Sequence, residues 1–199
     1  MSSSPLPPYT VEIERIWKNY NEKIVNEKYL ILSSSFKVSS NVIECGLSAA
    51  RNYIPAVRLR SFADDLLISF DTDQWIDFIE ILKTNQKESI IVYLERIDDD
   101  DSSLMEQDIY LHFTGEDVQE VLRVNDLIMS KIEMFSTLDF ADYYYTHFIK
   151  SIQSINTKDV EEVIEKKLKH SFDMYDYFLK ECLFYNKANI LEDIRNVVQ

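Results

Sequence analysis

Glycine, proline and cysteine are all scarce in this sequence, which has two glycines, four prolines and two cysteines among 199 residues. The scarcity excludes collagen-like repeats and Gly/Pro-rich linkers, and it argues against a phosphate loop or dinucleotide fold built on a glycine fingerprint. Hydrophobic residues make up 46% of the chain and aromatic residues 13%. Disordered chains lack such a stock of apolar side chains, so the composition predicts a folded protein with a real core.

Cysteine usage and the apolar pattern predict where the protein works. Cys45 and Cys182 lie far apart and share no metal-ligand spacing, so neither a disulfide framework nor a metal site is expected. Residues 1–8 show no cationic segment followed by an apolar one, and the apolar runs are too short to span a bilayer. We therefore expect an intracellular protein of the cytoplasm or nucleus, with no membrane partner and no cofactor.

Acidic residues are concentrated in the middle of the chain. The net charge is −14, and residues 61–126 carry 18 acidic and 4 basic residues. Four adjacent aspartates at 98–101 repel one another, which predicts an exposed loop; the run lacks the glycine that an EF-hand calcium loop requires. Residues 1–60 carry 8 basic and 5 acidic residues, so only this part of the chain offers a locally basic surface.

The hydrophobic pattern predicts an α+β fold. A disordered tail at 1–9 is followed by a helix at about 10–26. Period-two alternation then predicts four strands between 30 and 70, joined by short turns into an antiparallel meander. Two more strands at 89–97 and 108–113 bring the antiparallel sheet to about five or six strands.

Helix signals follow each block of strands. Asp71 is expected near the N-cap of a helix, and Thr114 has capping-box spacing to Asp117. The apolar stripe of the first of these helices is expected at Trp75, Phe78, Ile79 and Leu82. The chain thus divides into a helix plus antiparallel sheet at 10–114 and a helical region at 115–199, which we expect to pack on it because no linker separates them.

Residues 68–75, which end a predicted strand, begin a helix and include the pair Gln74 and Trp75, resemble part of the transcriptional-coactivator family that binds single-stranded DNA, whose helix begins near a Gln-Trp pair. The resemblance covers about residues 66–83. In that family four antiparallel strands lead into a helix that mediates dimerisation, and the curved sheet binds unwound strands. The resemblance implies a nucleic-acid-binding sheet face at 30–62. The residues expected to contact phosphates there are Lys37, Arg51, Arg58 and Arg60, and those expected to stack on bases are Tyr53 and Phe62.

Phe62, Asp64 and Asp65 form an aromatic-x-Asp-Asp pattern that resembles the metal-binding hairpin of reverse transcriptases. In those enzymes the paired aspartates and a third, upstream carboxylate hold two metal ions. Asp64 is the first aspartate of this chain, so the pattern lacks an upstream aspartate. A polar hairpin turn is the alternative interpretation of these residues.

The sequence contains no complete catalytic signature, so we expect a non-enzymatic binding or assembly protein that acts through protein–protein contacts. A long helix predicted from about residue 156 carries a near-heptad apolar stripe and a second apolar face. The residues of that second face, the predicted interface, are Val163, Tyr177, Phe178 and Leu183. Two faces exceed what one intramolecular groove needs, which predicts a homo-oligomer, preferably a closed dimer. Two alternatives stay open: a helix buried centrally in its own monomer, and a single-stranded nucleic-acid-binding protein that uses the basic 30–62 sheet face.

Overall fold

The structure is a computed structural model that describes residues 10–11, 29–39, 41–61, 67–84, 89–95, 109–150, 162 and 173–197. Within these ranges the strands are β1 (Thr10–Val11), β2 (Ile31–Val38), β3 (Asn41–Ser48), β4 (Ile54–Ser61), β5 (Leu67–Phe70), β6 (Ile90–Glu95) and β7 (Ile109–Phe113). The helices are α1 (Thr72–Thr84), α2 (Gly115–Ser136), α3 (Phe140–Asp142) and α4 (Met174–Val197). A 3-10 helix, Ala49–Arg51, links β3 to β4, and α3 continues into a π-helix, Tyr143–Ile149. The fold therefore mixes helices and strands, as the sequence predicts.

Four of the strands form an antiparallel meander. Their order is β2-β3-β4-β5, so each strand pairs with the next one along the chain. β4 and β5 pair with Val57 opposite Phe70 and Arg60 opposite Leu67. This arrangement confirms the meander predicted between residues 30 and 70. Short connections favour it because antiparallel neighbours can be joined by tight turns.

The remaining strands form a separate three-stranded sheet in the order β1-β6-β7. β6 and β7 are antiparallel, whereas β1 runs parallel to β6 with Thr10 opposite Ile91. A single sheet of about five or six strands is therefore not confirmed, because the last two predicted strands pair with each other and with β1. The helix expected at about 10–26 is not confirmed either. Its first residues, Thr10 and Val11, are β-branched and lie in a strand, and residues 12–26 lie outside the described residues.

Reciprocal side-chain bonds cap α1 and α2, which explains where these helices begin. Gln74 N–H donates to Asp71 Oδ1 and Asp71 N–H donates to Gln74 Oε1, both across 2.9 Å. Thr114 N–H donates to Asp117 Oδ2 across 2.8 Å, and Asp117 N–H donates to Thr114 Oγ1 across 3.2 Å. Both arrangements are capping boxes, so the two predicted helix starts are confirmed.

The chain forms two compact units. Unit 1 contains Met1–Asn26, Ser35–Glu44 and Val57–Ser130, and unit 2 contains Glu27–Ser34, Cys45–Ala56 and Lys131–Gln199. Each unit therefore draws on segments from both sides of the boundary that the sequence suggests near residue 114. The strands β2, β3 and β4 and the helix α2 are all divided between the units.

In unit 1, aromatic side chains from β5, α1 and β7 pack around Trp75. The ring of Phe70 lies 5.7 Å from that of Trp75 and 5.1 Å from that of Phe78, which lies 6.3 Å from Phe113. Trp75 is completely buried, and its Nε1–H donates to Asn125 Oδ1 across 3.0 Å. Buried side chains of this kind contribute about 1.5–3 kcal/mol each. The buried residues of α1 are the four that the sequence predicts, Trp75, Phe78, Ile79 and Leu82.

In unit 2, a cluster of aromatic rings surrounds Tyr53, which directly precedes β4. Its ring centroid lies 4.8 Å from that of Tyr144 and 4.9 Å from that of Phe178, and Phe178 lies 4.9 Å from Phe140. Tyr53 has a φ of 61°, a left-handed conformation that a bulky residue keeps only where its surroundings hold it. Its N–H donates to the Ser48 carbonyl across 2.7 Å. The cluster thus fixes the connection between β3 and β4 against the helices of unit 2.

Candidate interaction surface

Among the residues predicted to bind single strands, Lys37 and Arg60 lie at the surface. Lys37 is exposed on β2. The Arg60 side chain on β4 is 47% exposed and forms an ion pair with Glu44, with 3.1 Å between Nη2 and Oε1. Because a carboxylate of its own unit already faces it, Arg60 offers a partly neutralised charge to a phosphate.

The other residues of that set do not join Lys37 and Arg60 on an open face. Arg58 is 0% exposed, and Tyr53 is buried in the aromatic cluster. Arg51 is half-buried at the end of the 3-10 helix, and Phe62 lies outside the described residues. Val57 and Arg58 are both fully buried although neighbouring side chains point to opposite faces of a strand, so both faces of β4 are covered here. The single-strand alternative stays a prediction.

The residues of the predicted oligomer interface differ in exposure. Tyr177 is 48% exposed, whereas the next residue of α4, Phe178, is 0% exposed. Leu183 is half-buried and packs against the same aromatic cluster as Phe178. Val163 lies outside the described residues. Of this set, the structure therefore places Tyr177 at the surface and Phe178 and Leu183 on the core side of α4.

A group of exposed aromatic residues lies on α4 and beside it. Phe184 is 80% exposed, and its ring lies 4.9 Å from that of Tyr185. Tyr185 lies 4.6 Å from Tyr29, which precedes β2. Tyr177 stands two turns before Phe184, with Lys180 Nζ 5.2 Å from its ring centroid. We call the four residues Tyr29, Tyr177, Phe184 and Tyr185 the α4 aromatic face.

Helix geometry separates Tyr177 and Phe184 from the core side of α4. Each residue of an α-helix turns by about 100°, so Tyr177 and Phe184, which are seven residues apart, lie on nearly the same side. Cys182 lies on the opposite side and is fully buried. Phe178 is turned away from Tyr177 because consecutive residues point in different directions. Phe184 thus has i,i+7 spacing from the exposed Tyr177, whereas Phe178 lies on the core side.

Two polar contacts attach the helices of unit 2 to β2. The Glu181 carboxylate in α4 accepts a hydrogen bond from Leu32 N–H, and the Lys131 amine in α2 donates one to Ser34 Oγ. Burial lowers the pKa of Lys131, although the charge of Glu181 acts in the opposite direction. Hydrogen bonds to charged groups are stronger than neutral ones. The Glu181 contact therefore gives α4 a defined position from which it presents its aromatic face.

Polar groups of Tyr53, Tyr144, Cys182 and Asp193 lie where α4 meets the aromatic cluster of unit 2. The Tyr144 hydroxyl donates to Asp193 Oδ2 across 2.8 Å, and the ring of Tyr53 lies 4.8 Å from that of Tyr144. Burial raises the pKa of both tyrosines and of the Cys182 thiol far above their ordinary values. Burial also raises the pKa of Cys45 to about 11. Both thiols thus stay protonated at neutral pH, which makes them poor nucleophiles.

Within the ranges that the structure describes, no group of three or more His, Cys, Asp or Glu side chains is placed to hold a metal ion. No described helix combines the length and apolar character needed to cross a membrane. Asp64 and Asp65, the tail 1–9 and the aspartates at 98–101 lie outside these ranges. Comparison of the chain with protein-family models, curated proteins and solved structures finds no match. The α4 aromatic face is the feature from which a function can be argued.

Proposed function

We propose that this chain is a non-enzymatic binding and assembly protein that acts through protein–protein contacts and forms a homodimer by its α4 aromatic face. The observation that carries the proposal is the 80% exposure of Phe184, beside the exposed rings of Tyr177 and Tyr185 on one helix. A ring left in water forgoes the stabilisation of burial, about 25 cal/mol per Å² of apolar surface. Grouped exposed aromatic residues are typical of protein interaction sites.

The chemistry of these rings suits a protein contact. Tyr177 and Tyr185 each combine a large apolar ring with a hydroxyl, and they have few rotatable bonds to immobilise on binding. In the free protein the ring of Tyr185 already contacts the rings of both Tyr29 and Phe184. Rings that support one another in the free protein lose less conformational entropy when a partner binds. The face is therefore partly preorganised for association.

Charge favours a protein partner over a nucleic acid. The chain carries a net charge of −14, which repels phosphate backbones at long range. The buried position of Arg58 and the ion pair of Arg60 with Glu44 reduce the basic surface further. A contact built on aromatic rings does not require a basic patch.

Light scattering at a series of protein concentrations tests the proposal. We expect the mass to rise from that of one chain, 23.5 kDa, toward twice that value as the concentration increases. Phe184→Asp should keep the mass at that of one chain, because it places a charge inside the aromatic contact. The circular dichroism spectrum and melting temperature should stay close to wild type, since Phe184 is exposed.

Phe178→Asp is the matched control, because it makes the same change on the core side of α4. It buries a carboxylate among the rings of unit 2 and should unfold the protein. A wild-type mass of one chain at every concentration would overturn the homodimer. A dimer that persists unchanged in both Phe184→Asp and Tyr177→Asp would exclude the α4 aromatic face as its contact.

A further inference from the structure

We infer that α4 packs antiparallel against α4 of a second copy of this chain, with Tyr177 of each copy opposite Phe184 of the other. The inference rests on the proposed homodimer and adds the orientation and register of its contact. Two features carry it: the spacing of the exposed rings and the charged residues between them.

The exposed side of α4 is self-complementary about one point. In an antiparallel helix pair related by a twofold axis, residues equally far from the axis on its two sides lie opposite each other. An axis between Lys180 and Glu181 places Tyr177 opposite the partner's Phe184. The same axis places Lys180 opposite the partner's Glu181. One register therefore gives an aromatic pair and an opposite-charge pair, and each of them occurs twice.

The parallel arrangement lacks this complementarity. In a parallel twofold pair each residue of α4 faces its own counterpart, so Lys180 would meet the partner's Lys180 and Glu181 the partner's Glu181. Like charges in direct opposition disfavour that pairing. Lys180 Nζ lies over the Tyr177 ring, 5.2 Å from its centroid, and Glu181 is positioned by its bond to Leu32 N–H. The charged side chains thus flank the aromatic pair and favour the antiparallel orientation of the two helices.

Because the chain is acidic, the effect of salt on binding distinguishes a second copy of this chain from a basic partner. Two copies that each carry −14 repel at long range, and added salt screens that repulsion. Self-association through the rings should therefore become tighter when sodium chloride is raised from about 50 to about 300 mM. A partner attracted to the acidic chain by its own basic residues would bind more weakly under the same change.

Cysteine cross-linking of full-length protein tests the register. The two variants are Tyr177→Cys and Phe184→Cys, oxidised singly and as an equimolar mixture. In the mixture the introduced thiols face each other within one dimer, and the second Tyr177–Phe184 pair of that dimer stays intact. In each variant alone the two thiols are seven residues apart along the helices, about 10 Å, which is too far for a disulfide. Cys45 and Cys182 are fully buried, and Lys83→Cys on the exposed end of α1 controls for random collision.

We expect a disulfide-linked dimer in the mixture and none in either variant alone. Disulfides within each single variant, with no disulfide between the two variants in the mixture, would overturn the antiparallel register while the proposed homodimer stands. Disulfide yields equal to those of the Lys83→Cys control, from a wild type that light scattering shows to be dimeric, would overturn the α4 contact. A wild type that stays one chain at every concentration would overturn both the inference and the proposed function.

Discussion

The hydroxyl of Tyr144 in the π-helix donates a hydrogen bond to Asp193 Oδ2 in α4 across 2.8 Å. The two residues are 49 positions apart in the chain, so the bond joins separate helical segments of unit 2. Tyr53 extends the connection to the link between β3 and β4. Hydrogen bonds to charged groups contribute more to stability than neutral ones, which makes this contact a sensitive one.

Tyr144→Phe should lower the free energy of unfolding by about 1–3 kcal/mol, because it keeps the ring but removes the donor to Asp193. Urea denaturation followed by circular dichroism measures the change. Tyr145→Phe is the matched control, since it removes a hydroxyl from the adjacent, exposed tyrosine; it should change stability by less than about 0.5 kcal/mol. Equal effects of the two substitutions would show that the Tyr144–Asp193 bond has no special weight.

Asp117 should make unit 1 sensitive to acid. Burial raises the pKa of Asp117, but hydrogen bonds from Ser39 and Thr114 lower it by more, so the net shift is downward. Its stabilising contribution is therefore fully present above the unfolded-state pKa of about 3.9 and is lost as the pH falls through the lower folded-state value. Wild type should exceed Asp117→Asn in stability at neutral pH, and the gap should narrow below about pH 4. A gap that does not vary between neutral and acid pH would contradict the assignment.

Arg58 and Arg60 should respond differently to removal although they are two residues apart on β4. Arg58→Ala leaves a cavity at a fully buried position and should cost about 2–4 kcal/mol of stability, by analogy with other large-to-small core substitutions. Arg60→Ala removes a surface ion pair with Glu44 and should cost less than about 1 kcal/mol. Thermal melting measures both.

Binding to labelled single-stranded oligonucleotides at low salt tests the nucleic-acid alternative. The residues to change are Lys37 and Arg60, which lie at the surface among those predicted to contact nucleic acid. Lys37→Ala combined with Arg60→Ala should weaken any such binding for all sequences and flatten its salt dependence. Wild type that binds neither single-stranded DNA nor RNA at low salt would end that alternative.

Gly46 should tolerate no side chain because β2 approaches it closely. A Cβ at this position would lie 2.8 Å from the Ile31 carbonyl oxygen and 2.9 Å from Leu30 Cβ. Gly46→Ala should therefore force the strands apart and destabilise the protein by about 1–3 kcal/mol. Ser35→Ala, at an exposed position of β2, is the control and should be nearly neutral in chemical denaturation. An unfolding midpoint for Gly46→Ala equal to that of Ser35→Ala would contradict this reading of the close approach.

Elements fixed by local patterns were predictable from the sequence. The stripe of α1 follows from apolar residues at helical spacing, and the starts of α1 and α2 follow from side chains that bond the first turn. The meander follows from alternation and short turns. Each of these elements depends on residues that are close together in the chain, so the local sequence is enough to predict it.

Features that depend on distant segments were not predictable in this way. Arg58 alternates with apolar neighbours and is expected on an open face, yet both faces of β4 are covered at that position. The pairing of Thr10 with Ile91 joins segments that no local pattern relates. Phe178 and Phe184 are the same residue type on the same helix, and only the position of that helix in unit 2 decides which ring is buried.

The interleaving of the two units sets the order in which the chain can fold. Tyr53 packs on Tyr144 and Phe178, so its aromatic neighbours leave the ribosome about 90 to 125 residues later. At a synthesis rate of about 5–20 residues per second, that delay is roughly 5–25 s. During this interval the segment Cys45–Ala56 is exposed without its helices, and no single cut of the chain releases either unit as a continuous fragment. The segment around Tyr53 therefore reaches its native packing only after α4 has been synthesised.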